Sequence, residues 1–349
     1  MRLTLVAGTT RTAAIDGLSA AGASADLRRH TPSADAELVR YGRLVRSPVL
    51  PVSPSGCPTP AVVTRAVVEL LGLDVVVCDG GLAEPTGAPT VDFGANPGHD
   101  IRKPDPVRTA PGVFAAAKAV GARLAEDHLV VGETVPGGTT TALAVMRALG
   151  EPYPVSSSLP ENPLARKEEV VEAAFESSDI APGQAAHRPE LAVRFVGDPV
   201  LAVVAGLCVG ALDAGIRVTL AGGTQLVAAA ALVRHAGCQE SLELATTSYL
   251  ADSVDLGPAV DGLDLDLTVT DPGFTDERLS QYATVGKEGA AMGGALALAD
   301  RTGDLDAVEP RTLALLDALF AAADGPDAQH GTGPGDESGP DGAGDDRGP

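Results

Sequence analysis

The chain has 349 residues, 44% hydrophobic and 21% charged, which supports a sizeable core in one large α/β domain or two smaller ones. A net charge of −22 repels nucleic acid and anionic membranes, so neither is an expected partner. The lysines are Lys103, Lys118, Lys167 and Lys287 alone; together with the acid excess and the abundance of alanine, this scarcity suits a halophilic cytoplasm, where salt screens charge repulsion.

Arg2–Val6 reads as a strand, with a weak helix expected through Ile15–Leu18. Thr31 or Ser33 can cap a helix carrying Ala36–Tyr41. The Pro- and Ser-rich stretch Ser47–Pro60 reads as a surface loop and a candidate substrate wall. An amphipathic helix over Ala61–Leu71 leads to a strand over Leu73–Cys78, and Thr90–Gly94 is a short strand. Val113–Leu124 reads as a helix.

The stretch Leu129–Gly150 follows, with a strand-type run, a glycine turn and a helix ending at Gly150. Bare N–H groups at such a helix start suit an anion, and Gly137, Gly138, Thr139 and Thr140 supply them. Gly132 and Gly137 have the spacing of a P-loop, but Gly138 stands where its lysine would be, which disfavours nucleoside triphosphate hydrolysis. Glu133 is an acid inside that turn, unexpected in a plain phosphate cradle.

Beyond it, Leu164–Phe175 reads as a helix and VRFVGDPVLAVVAGLCVGALDAG as strand, turn and buried helix, with Asp198 capping and Pro199 at the first helical position. Arg217–Leu220, the turn Gly222-Gly223-Thr224 and an apolar helix repeat the plan; Leu242–Thr246 and Leu265–Thr270 are two more strands. Asp79, Asp92 and Asp198 read as turn acids or caps. The alternation predicts a doubly wound α/β fold: a mostly parallel sheet with helices on both faces and a small helical subdomain, ligands binding at the strand C-termini. One domain over 1–325 is expected, then an acidic Gly/Pro tail over 326–349 with no periodicity. The four cysteines and six histidines show no metal-site spacing, so no metal and no cofactor is expected. The N-terminus has no signal-peptide pattern and no apolar run suits a membrane span.

GETVPGGTTTA, LARKEEVVEAAF, VGDPVLAVVAGLCVGAL with VTLAGGTQLVAAAALV, and KEGAAMGGALALA occur in that order. Together they resemble the nicotinate-nucleotide:dimethylbenzimidazole phosphoribosyltransferase family, and TPSADAE and DPGFTD resemble its archaeal branch. The resemblance implies transfer of the 5-phosphoribosyl group of nicotinate mononucleotide to a benzimidazole-type base, giving α-ribazole 5′-phosphate and nicotinate for a cobamide lower ligand. It implies Glu288 as general base and Glu133 as the negative charge near C1′. Lys167, with Gly222, Gly223 and Thr224, is the implied anion grip, and a homodimer is expected. No glutamine-bearing base-pocket segment is placed in the first ninety residues. The alternative is a nucleotide- or corrinoid-precursor-binding protein on the same fold without catalysis.

Overall fold

A computed structural model describes residues 2–22 and 24–323; the expected acidic tail lies outside the described residues. In chain order the elements are β1 (Arg2–Ala7), α1 (Ala25–Arg28), α2 (Thr31–Tyr41), α3 (Ala61–Leu71), β2 (Asp74–Asp79), β3 (Thr90–Asp92) and α4 (Ala110–Gly121). Then come β4 (His128–Thr134), α5 (Gly138–Leu149), α6 (Leu164–Ser178), α7 (Pro189–Val196), α8 (Pro199–Asp213) and β5 (Arg217–Ala221). The series ends with α9 (Thr224–His235), β6 (Leu242–Thr247), α10 (Ser248–Ala251), α11 (Gly257–Gly262), β7 (Leu265–Thr270), α12 (Met292–Thr302) and α13 (Val308–Ala323).

The seven strands form one sheet in the order β3-β2-β1-β4-β5-β6-β7, every pair parallel. The order reverses direction between β1 and β4, the switch point where doubly wound sheets open a crevice beyond their strand C-termini. Side chains alternate across the sheet, as strand geometry requires. Leu3, Leu5 and Ala7 of β1 enter a core shared with α2, α3, α12 and α13. Val6 enters the opposite core, shared with α4, α5, α8 and α9. α6 and α7 pack on α5 and on each other and supply the expected helical addition.

Small residues let these layers approach. A Cβ at Gly206 would lie 2.5 Å from the Phe114 carbonyl oxygen, and one at Gly210 would lie 2.0 Å from that of Lys118, so α4 and α8 touch backbone to backbone. No described helix is long and apolar enough to cross a membrane.

Three local expectations are corrected. The apolar VRFV run is the end of α7, not a strand: Pro189 occupies its first turn, and Ala192, Val193 and Val196 are buried at helical spacing. Ile15–Leu18 is not helical. A short 3-10 turn over Arg11–Ala14, capped by the Thr10 hydroxyl, precedes it, and Ile15 is extended. Thr31 and Ser33 lie inside α2 rather than capping it, and the Ser33 hydroxyl donates to the Glu84 carbonyl.

Candidate active site

A cleft of about 1030 Å³, counting the solvent open to it, sits at the C-terminal ends of β4 and β5 beside the switch point. The Pro51–Pro60 loop forms one wall, as its composition suggested; Glu133–Thr139, Ser156–Ser158, Gly223–Gln225 and Val285–Ala290 form most of the remainder, with Leu18–Gly22 and Asp35 at its side.

Glu288 is presented by the loop between β7 and α12. Four donors hold its carboxylate: Thr246 Oγ1 (3.3 Å) and the Thr247 N–H (3.2 Å) at one oxygen, the Gly289 (3.1 Å) and Gly293 (2.9 Å) N–H groups at the other. Gly289, Ala290 and Ala291 all have positive φ (136°, 50° and 69°), and such a turn is costly for alanine. The turn is pinned because the Ala290 N–H donates to the Glu133 carbonyl (2.9 Å). Gly293 must be glycine, since a Cβ there would lie 2.5 Å from the Thr246 Cα and 2.7 Å from the Ala245 carbonyl oxygen, both backbone atoms of β6. Burial outweighs the four donors and raises the Glu288 carboxyl to about 7.

Glu133 is not in a turn. It is the second-last residue of β4, in register with Val6, and its half-buried side chain lines the cleft. Burial raises it to about 8, and the charges of Asp198, Glu288 and Asp35 push the same way. Asp35, a residue the sequence did not single out, accepts from Thr59 Oγ1 and Thr134 Oγ1, both at 2.7 Å, and burial raises it to about 6. Asp198 is fully buried as the cap of α8, where it also accepts from Thr141 Oγ1 and Gln225 Nε2. Asp79 and Asp92 accept from backbone N–H groups of the turns that follow them.

α5 and α9 both start at the cleft without a side-chain cap, at Gly137 and Gly223. Gly137 has φ 80°, and a Cβ at this position would lie 2.9 Å from Ala13. Gly137, Gly138, Thr139, Gly223 and Thr224 line the cleft. Thr140 does not: it is fully buried inside α5. Gly222 is not a wall residue either; its N–H donates to the Ala245 carbonyl at 3.0 Å. Lys167 is fully buried rather than on a solvated helix face, and its Nζ donates to the Ser156 carbonyl at 2.6 Å. That carbonyl belongs to the cleft wall, so Lys167 sits one residue behind the surface. Burial and then the charge of Lys287 bring the Lys167 ammonium down to about 7. The structure thus gathers Glu288, Glu133, both uncapped helix starts and the Lys167 support into one cleft, and leaves Thr140 and Gly222 behind it.

The raised carboxyls fix the pH dependence of stability. Asp35, Glu288 and Glu133 at about 6, 7 and 8 hold protons in the folded state that the unfolded chain has released. Stability is therefore greatest near the unfolded carboxyl range and is lost as pH rises toward the folded values. Thermal melts of the unliganded protein should fall steadily between about pH 5 and pH 7; Lys167 opposes this trend only from about 7 upward. A melting temperature that is flat or rising over that window would contradict the burial of these acids.

The family model for Phosphoribosyltransferase matches residues 66–253. A UPF0284 protein of Halobacterium salinarum is 57% identical over 324 residues, covering 90% of this chain and 97% of the relative. A UPF0284 protein of Methanosarcina mazei is 41% identical, covering 84% and 87% of the two chains. Among solved structures, the nicotinate-nucleotide-dimethylbenzimidazole phosphoribosyltransferase of Thermus thermophilus superposes with a TM-score of 0.57 at 18% identity, covering 93% of this chain and 85% of that one, a likeness of fold. The switch-point cleft thus sits on a shared architecture, and the chain belongs to the nicotinate-nucleotide:dimethylbenzimidazole phosphoribosyltransferase family, in the branch of its archaeal UPF0284 relatives.

Proposed function

We propose that the protein moves the 5-phosphoribosyl group of nicotinate mononucleotide to a benzimidazole-type base. The observation that carries this reading is the Glu288 carboxylate: held by four donors, raised to about 7, and turned into the cleft that Glu133 also lines. A base that operates near neutrality needs such a value.

In this reading the bond from C1′ to the nicotinate nitrogen breaks and a bond from C1′ to the benzimidazole nitrogen forms. The N–H proton of the incoming base passes to Glu288, and nicotinate leaves with the electron pair of the broken bond. Positive charge on the ribose ring in passage is met by Glu133, which ionises more readily once a cationic pyridinium is bound beside it. The 5′-phosphate takes the uncapped start of α9 at Gly223–Thr224, with Lys167 close behind through Ser156. Val52, Pro58, Pro60 and Val285 supply apolar lining that suits a flat aromatic base.

A crystal grown with α-ribazole 5′-phosphate tests the assignment. The base nitrogen should lie within about 3.5 Å of the Glu288 carboxylate, close enough for proton transfer, with the phosphate at Gly223–Thr224. A product bound in this cleft with its base pointing away from Glu288 would remove the general-base role.

A further inference from the structure

Lys287, next to the proposed base, has no role in the reading above. It is buried and lines the cleft, and its Nζ donates to the Thr284 carbonyl at 3.1 Å. It does not pair with Glu288, whose oxygens are taken by Thr246, Thr247, Gly289 and Gly293. Among the described residues, neither Lys287 nor Lys167 has a carboxylate within 4.0 Å, although the chain carries −22 of net charge. Two of the four lysines are thus buried at this cleft without a paired carboxylate, Lys287 in its lining and Lys167 behind its Ser156 wall. Each buried cation without a partner costs stability, so the arrangement is explained if a ligand supplies the missing charge.

We propose that Lys287 is the second cationic arm of an anion subsite, holding with Lys167 a dianionic phosphate monoester against Ser156–Ser158 and the start of α9. This deepens the phosphoribosyl reading and rests on it only for the identity of the ligand. A dianion matches two ammonium groups, and the N–H groups at the uncapped start of α9 add donors to its remaining oxygens. Burial, and then the charge of Lys287, brings Lys167 down to about 7. Because Lys287 directly precedes Glu288, an anion that fixes Lys287 also fixes the loop that carries the base.

The test uses ribose 5-phosphate as probe, with the full chain and no turnover. Lys287→Met should melt at or above the wild-type temperature without ligand, because an uncompensated buried charge is gone. Its dissociation constant for ribose 5-phosphate should rise by about tenfold to a hundredfold, the range of a lost charged contact. Lys287→Arg should stay within about threefold of wild type, since the charge is kept. Lys287→Gln, which keeps a polar tip toward Thr284, is read by the same titration if Lys287→Met does not fold. The constant for free dimethylbenzimidazole should not move in any of them. Wild-type affinity for ribose 5-phosphate in Lys287→Met or Lys287→Gln, or an equal loss for the free base, would overturn the clamp. A wild-type protein that binds ribose 5-phosphate through Lys287 but releases no nicotinate keeps the clamp and loses the transfer reading. Normal nicotinate release by Lys287→Met at unchanged KM does the reverse.

Discussion

Glu288→Gln should lower turnover by about 10² to 10⁴, the usual worth of a positioned general base. Glutamine keeps the shape, but its single amide oxygen accepts from only one of the two donor pairs, so a thermal melt beside the rate checks that the loop stays folded. Nucleotide affinity should change by less than about threefold, because the lost basicity acts in the transition state and not in donor binding. The wild-type rate should climb as pH passes through about 7, where the Glu288 carboxyl ionises, and the variant should lose that step. A second readout is independent of rate: the Glu288 charge is one cause of the raised Glu133 value, so Glu133 should ionise at lower pH in the variant. Wild-type turnover in Glu288→Gln would end the general-base assignment.

The largest stability effect is expected at Asp198. Its carboxylate caps α8 through the Leu201 N–H (3.1 Å) and receives Gln225 Nε2 (2.8 Å) and the Thr141 hydroxyl, so three helices meet on one buried group. Asp198→Ala removes the cap and leaves the buried Gln225 amide of α9 without its acceptor, while the Thr141 hydroxyl of α5 keeps only the Gly138 carbonyl. The expected cost is about 3 kcal/mol in chemical denaturation. Asp198→Asn should cost less, since an amide oxygen still caps the helix, and it should let Glu133 ionise at lower pH by removing a neighbouring like charge. A loss below about 1 kcal/mol for Asp198→Ala would show that the three helices do not depend on this group.

The strands and glycine turns were legible because strand–helix alternation repeats with Gly-Thr or Asp-Gly at several strand ends, as in LAGGTQ after β5. Asp198 and Pro199 marked the start of α8 by their chemistry alone. VRFV misled because a β-branched run at an amphipathic helix end looks like a strand when Pro189 is not weighed. Glu133 was displaced into the turn for a related reason: β4 runs through Gly132, a glycine that packing explains. A Cβ there would lie 2.4 Å from Ala291 Cβ, which no local pattern reveals. Asp35 could not be read from spacing, because Thr59 and Thr134, which define its environment, lie 24 and 99 residues away. Lys287 did carry a signal, a scarce lysine next to the candidate base, but its burial and its bond to the Thr284 carbonyl are set by the fold.

The central claim is that this cleft transfers a phosphoribosyl group rather than merely holding a nucleotide. Nicotinate release is the direct measurement: the protein is incubated with nicotinate mononucleotide, with and without dimethylbenzimidazole, and free nicotinate is followed over time. Release that depends on the base, with one α-ribazole 5′-phosphate formed per nicotinate, is the predicted result. Tight nucleotide binding with no base-dependent release would contradict the claim and leave a binding protein on a transferase fold.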